Sequence, residues 1–214
     1  MLLFNYSTLF DPILKDVRIC VAGLAVVKAG DRVLDVCCGT GDQVFYYTQK
    51  GAIATGVDQN PDMIELAEKN RKRRGFKHST FRVASATELP FPDGYFDGAS
   101  ISLGLHEMER DERNRAVSEM KRVVKKKGVL MFIDFQVPLP KNSIAYLIRA
   151  VEFLAGRDNH KRFTDYLAQG GLDQILKETE LTPQKQALLK LGNLQVIKAS
   201  NTCVPQFEYY DGHP

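Results

Sequence analysis

Short apolar runs, each closed by a turn former, alternate along this chain with longer stretches whose apolar positions recur every three to four residues. Val33–Val36, Ala52–Val57, Thr80–Val83, Phe96–Leu103 and Gly128–Phe135 are of the first kind and predict strands. Ile13–Lys28, Asp42–Gln49, Pro61–Lys72 and Asp111–Val124 are of the second and predict helices. Ile13, Val17, Val21 and Leu24 share one helical face, as do Ala116, Val117, Met120, Val123 and Val124. This alternation specifies a parallel sheet joined by right-handed crossovers, hence an α/β fold. Beyond Pro138 the pattern changes. Ile144–Leu154 is apolar nearly all round and predicts either a buried helix or one that walls a hydrophobic pocket, meets a second copy or rests on a membrane surface. Phe163–Gln169 and Leu172–Thr179 predict short helices split by Gly170-Gly171. Gln186–Leu191 and Asn193–Ala199 predict a hairpin around Gly192 that completes the sheet edge.

Length and composition bound the answer. With 214 residues, 44% of them hydrophobic, the chain holds one α/β domain with a full core and is short for two. The domain is expected over 1–200, with 1–30 as a capping segment, 138–180 as a helical insertion on the substrate side and 201–214 as a loose tail. A formal charge of +3 is too weak to require nucleic acid. The runs Arg71–Arg74 and Lys125–Lys127 close helices and lack interleaved aromatic platforms, so solvated helix ends are expected and an RNA surface is disfavoured. Cys20, Cys37, Cys38 and Cys203 form no CxxC pair, and no histidine stands at zinc spacing, so no metal site is expected. Reduced thiols, the lack of a basic leader and an apolar stretch too short to span a bilayer (Ile19–Val27) together predict a cytoplasmic location.

The chemistry concentrates in Arg32–Asp42, RVLDVCCGTGD. A strand runs into the turn Gly39-Thr40-Gly41 and then into a helix, a form that lets backbone approach a ligand at a helix N-terminus. The next strand ends in Asp58, an acid placed to accept both hydroxyl protons of a ribose. A nucleoside is implied. The dinucleotide fingerprint requires a third glycine where this chain has Val44. Asp35, inside the first strand, has no role beside a pyrophosphate but suits a ligand carrying an ammonium or a sulfonium. These residues point to S-adenosylmethionine.

The motifs V-L-D-x-x-C-G-T-G (Val33–Gly41) and G-V-D-x-x-P-x-M (Gly56–Met63) resemble those of the class I methyltransferases, and most of all the ubiquinone/menaquinone biosynthesis type, over roughly Asp31 to Phe135. The resemblance implies a Rossmann-like fold: a seven-stranded, mostly parallel sheet with helices on both faces and an antiparallel last strand. It implies S-adenosyl-L-methionine as cofactor, S-adenosyl-L-homocysteine as product, and a cofactor site drawn from Asp35, Cys38, Gly39, Thr40, Gly41, Asp58, Gln59, Met63, Ser85, Ala86 and Leu103. Two positions depart from the family pattern. Ser85 stands where an aspartate usually holds the adenine amino group, and Cys37 replaces a glycine, which is harmless only if the backbone there avoids positive φ. In this family the entry segment carries an aromatic-Asp pair, matched by Phe10-Asp11, so Tyr6 and Phe10 are candidate contacts. His106, just past the fourth strand, is the candidate catalytic base. The expected reaction is methyl transfer to a small apolar acceptor such as a quinone precursor or a lipid. An RNA methyltransferase and a non-catalytic S-adenosylmethionine-binding regulator are the alternatives, and a homodimer is compatible with the sequence.

Overall fold

Seven strands, β1 (Arg32–Val36), β2 (Ile53–Asp58), β3 (Ser79–Val83), β4 (Phe96–Ser102), β5 (Val124–Phe135), β6 (Pro183–Leu189) and β7 (Leu194–Ser200), form one sheet in the order β3-β2-β1-β4-β5-β7-β6. This computed structural model describes residues 6–25 and 27–202, with side chains from Leu14 onward, so Tyr6, Phe10 and Asp11 as site contacts and most of the expected tail lie outside the described side chains. Strands β1 to β5 pair in parallel and β7 runs antiparallel to both β5 and β6. The order reverses at β1, which lies between β2 and β4, and a parallel sheet opens a crevice at the carboxyl ends of strands flanking such a reversal. The central strands are buried on both faces: Leu34, Val36, Ile101 and Phe132 are fully enclosed.

Helices α1 (Tyr6–Leu24), α2 (Asp42–Gln49), α3 (Pro61–Arg74), α4 (Arg110–Val123), α5 (Ser143–Leu154), α6 (Arg157–Ala168) and α7 (Gly171–Glu178) complete the domain, with a 3-10 turn at Leu105–Glu107. Helix α2 packs on β1 to β3, α3 on β2 and β3, and α4 and α7 on β5. Local chemistry sets most boundaries. Asn60 caps α3 by accepting from the Asp62 N–H at 2.9 Å, Pro61 occupies the first turn, and Gly75 ends the helix at φ 74°.

The structure corrects the sequence reading at several points. Helix α1 begins at Tyr6, ahead of the expected Ile13, and continues through Pro12, which forgoes one backbone bond early in a 19-residue helix. Strand β5 begins at Val124, directly after α4, because Val124 pairs with Phe96. Lys125, Lys126 and Lys127 therefore extend the strand rather than close the helix, and Lys125 pairs with Asp97. Gly128 is required where the strand re-enters the sheet, since a Cβ there would lie 2.7 Å from the Asp97 carbonyl oxygen. Helix α5 is not buried: its buried residues are Ala145 and Glu152, while Tyr146, Leu147, Phe153 and Leu154 are exposed.

Candidate active site

The glycine turn forms as the backbone pattern requires. Beyond β1, Cys37, Gly39 and Gly41 all take positive φ (56°, 50° and 85°), and Gly41 caps α2. At Cys37 the backbone thus needs the left-handed region, so the condition for a harmless replacement of glycine is not met. A β-carbon there costs about 1–2 kcal/mol, offset by packing on Gly104, where a Cβ would come within 2.9 Å of the Cys37 Cβ. Burial pushes the thiols of both Cys37 and Cys38 well above their ordinary range, so they pack as neutral groups. Gly39 is different: a Cβ at that position would meet nothing within 4 Å, so the space above it is open to a ligand.

Asp58 ties the turn to the second strand end. One carboxylate oxygen accepts from the Gly39 N–H and the other from the Asn60 N–H, both at 2.9 Å, so each keeps a lone pair for a further donor. The carboxylate thus holds the glycine turn and the start of α3 in fixed relation to itself.

These groups line a cleft of about 320 Å³ whose walls include Asp35, Cys38, Gly39, Thr40, Asp58, Met63 and Leu103 from the sequence-predicted set. The structure adds Leu14, Val17 and Arg18 of α1, Gln43 of α2, and Ser102, Gly104 and Glu107 past β4. Asp35, nearly fully buried, accepts from the Ser100 hydroxyl at 2.6 Å across the β1–β4 pairing. Burial raises its carboxyl to about 7, against the Ser100 hydrogen bond and the Arg18 charge. Arg18 anchors α1 over the cleft through Asp42 at 3.3 Å, and Asp42 also pairs with Arg74 at 2.7 Å. The cleft meets the needs of an adenosyl sulfonium: a two-lone-pair acid for a diol, a buried acid for a cation, and Gln43 Oε1, buried without a hydrogen-bond partner among the described residues.

Gln59, Ser85, Ala86, Gly41 and His106 do not line this cleft. Ser85 lies near Asp58 through the Ala84 N–H, which donates to the Asp58 carbonyl at 3.0 Å, but its hydroxyl pairs with that of Thr87 at 2.9 Å. Ala86 is buried and Gln59 is exposed.

His106 sits one layer behind. Its ring is fully buried, with Nδ1 2.7 Å from Asp134 Oδ1. Asp134 also accepts the backbone N–H groups of Leu105, His106 and Phe135, at 3.1, 3.1 and 2.8 Å. Burial works to lower the imidazole pKa, but the Asp134 carboxylate, with Glu107 and Glu152, raises it to about 9. These acids favour the protonated imidazole, a form suited to holding an acceptor oxygen rather than taking a proton from it. Its Nε2 has no hydrogen-bond partner among the described residues and lies 3.7 Å from Glu152 Oε1 and 4.0 Å from Glu107 Oε1. The buried Arg113 holds the turn that carries His106: it donates to the carbonyls of Leu105 and Arg162, both at 3.0 Å, and pairs with Asp165 at 2.8 Å. No sequence pattern marks this residue.

A second chamber of about 210 Å³ adjoins the cleft, sharing Leu14 and Leu103 with it. Its walls are almost wholly apolar: Phe135, Leu194, and Ile144, Ile148 and Val151 of α5, joined by the solvent-exposed Leu147. Glu152 closes one end. No helix among the described residues is long and apolar enough to cross a membrane.

A family model described as a methyltransferase domain matches residues 33–128. An uncharacterised methyltransferase of Synechocystis is 30% identical over 173 residues, which cover 81% of this chain and 77% of that protein. A ubiquinone/menaquinone biosynthesis C-methyltransferase of Citrifermentans bemidjiense is 38% identical over 53% of this chain and 51% of its own length. A demethylmenaquinone methyltransferase of Thermus thermophilus is 35% identical over 62% of each chain. The match thus spans only about half to three-fifths of these two relatives. A solved S-adenosylmethionine-dependent methyltransferase from Aquifex aeolicus shares the fold, with a TM-score of 0.70 at 18% identity over 92% of this chain and 97% of that one. The chain belongs to the class I S-adenosylmethionine-dependent methyltransferases, and S-adenosylmethionine is its cofactor.

Proposed function

We propose that this enzyme methylates a ring carbon of a small, apolar, quinone-precursor acceptor seated in the chamber behind α5. The observation that carries this reading is the chamber itself: almost purely apolar, walled by α5, and adjoining the cofactor cleft, with which it shares Leu103 and Leu14. It suits a flat hydrocarbon ring and offers no basic platform for a nucleic-acid strand. The relatives named for quinone methylation support the acceptor class.

S-adenosylmethionine supplies an activated methyl group on a cationic sulfur, so the first task of this chain's residues is to orient donor and acceptor and exclude water. Asp58 holds the ribose hydroxyls while fixing the glycine turn. Asp35 faces the cationic part of the cofactor, and Gly39 and Thr40 run beside its amino-acid portion. Met63 flanks the adenine from α3. Leu103, held at φ 54°, separates cleft from chamber and sets how closely the acceptor approaches.

The test is transfer of deuterated methyl from S-adenosylmethionine to a panel of short-chain prenylated 1,4-naphthalenediols and benzenediols, read by mass spectrometry, with bulk RNA as the competing acceptor. A mass gain on a ring acceptor and none on RNA is expected. Ile148→Arg, which places a charge in the chamber, should raise the acceptor KM at least tenfold with the cofactor Kd unchanged. Cofactor binding with no transfer to any ring acceptor refutes the proposal.

A further inference from the structure

Helix α5 carries a buried acid that its amphipathicity does not explain. Leu147, Phe153 and Leu154 are exposed to solvent, yet the one charged side chain the helix turns inward is Glu152, 5% exposed, at the end of an apolar chamber. Burying a carboxylate without partners is costly, so buried acids ordinarily collect donors, as Asp134 does. Glu152 makes no hydrogen bond among the described residues. Its nearest charged neighbour, His106 Nε2, is 3.7 Å away and equally without a hydrogen-bond partner. Of the other polar residues of the chamber wall, Lys190 pairs with Asp16 at 2.7 Å and the Asn193 side-chain NH2 donates to the Lys190 carbonyl at 2.7 Å, while Asn193 Oδ1 is a buried acceptor without a partner among the described residues.

An oxygen atom about 2.8 Å from both Nε2 and Glu152 Oε1 would satisfy each: it accepts from the imidazolium N–H and donates to the carboxylate. Only a hydroxyl or a water can do both. The acid that ends this gap faces the acceptor chamber, and Glu107, on its other side, lines the cofactor cleft. The gap thus lies beside an acid of the chamber and an acid of the cleft, while the His106 ring itself lines neither.

We propose that Glu152 is a catalytic residue that receives the proton of an acceptor hydroxyl, with His106, fixed by Asp134, as the positioning residue that orients that oxygen. The proposal rests on the acceptor reading above and narrows it to hydroxylated rings. The hydroxyl O–H bond breaks and its proton passes to the Glu152 carboxylate. The freed electron pair enters the ring, and a ring-carbon pair forms the new bond to methyl as the S–CH3 bond breaks, leaving a neutral thioether. The ring carbon then releases its hydrogen to solvent as a proton, and Glu152 returns its proton to the oxygen. One proton is released overall and no oxidant is needed.

The experiment compares wild type, Glu152→Gln and Glu152→Leu, each loaded with S-adenosylhomocysteine for calorimetry and with S-adenosylmethionine for turnover. The probes are a prenylated 1,4-naphthalenediol and its dimethyl ether, which has the same shape and no hydroxyl. Wild type should bind the diol at least tenfold more tightly than the ether. Glu152→Gln keeps an accepting oxygen but cannot take a proton, so it should hold diol affinity within about threefold while kcat falls 100-fold or more. Glu152→Leu should bind diol and ether alike. Wild-type kcat in Glu152→Gln overturns the inference while the acceptor reading stands. If neither variant folds, equal binding of diol and ether by wild type overturns it. Wild type that binds cofactor but neither binds nor methylates the diol overturns the acceptor reading, and this inference with it.

Discussion

Removing the Asp58 carboxylate tests the cofactor site at its centre. In the protein its oxygens accept from the Gly39 and Asn60 N–H groups at 2.9 Å each, which leaves one lone pair per oxygen for the ribose hydroxyls. Charge-assisted bonds of this kind contribute about 1–1.5 kcal/mol each after desolvation, so Asp58→Ala should weaken S-adenosylmethionine binding by about 2–3 kcal/mol, roughly 30- to 150-fold in Kd. The same substitution leaves the two backbone N–H groups without their acceptor. About 2 kcal/mol of stability is lost with them, which lowers Tm by roughly 4–8 °C in a chain of this size. Asp58→Asn keeps one accepting oxygen and should fall between wild type and alanine on both measures. Calorimetric titration with S-adenosylhomocysteine and thermal unfolding read the two effects separately. A Kd for Asp58→Ala within threefold of wild type refutes the assignment, whatever happens to Tm, because it would mean that no ligand hydroxyl uses the remaining lone pairs.

Further outcomes follow from buried charges. Burial raises Asp35 to about 7, so folding takes up a proton; the associated stability is fully present below pH 3.8 and lost as pH rises through 7, and Asp35→Asn should flatten that slope in urea unfolding. A cationic ligand favours the carboxylate, so cofactor binding at pH 7 should release about half a proton, seen as a dependence of the calorimetric heat on buffer ionisation enthalpy; buffer-independent heat refutes the contact. Arg113→Met removes one side chain's bonds to two carbonyls and Asp165 inside the domain, and should cost about 3–5 kcal/mol in urea unfolding. Arg113→Lys should recover only part of that, since an ammonium cannot match the planar fork, and full recovery would show that charge alone matters there.

The sequence by itself determined what depends on neighbours along the chain. Apolar period placed five parallel strands and the helices between them, the glycines marked the turn after β1, and Asp58 stood out as the acid ending β2, because these features follow from backbone sterics and local burial. The hairpin around Gly192 was legible for the same reason. Tertiary structure decided which side chains meet. Arg18 and Leu14 reach the cleft only because α1 folds back over it, anchored at Asp42. The Ser85 hydroxyl pairs with that of Thr87, a local contact that its place after β3 did not announce. His106 is tied down by Asp134, 28 residues away, which lies at its Nδ1 and favours the protonated ring. Glu152, a charged position in a helix read as apolar nearly all round, becomes the acid facing His106 once α5 packs against α6. Contacts of this kind join residues tens of positions apart. No period or spacing records them, because they exist only after the sheet has set where each strand ends and the helices have closed over its edge.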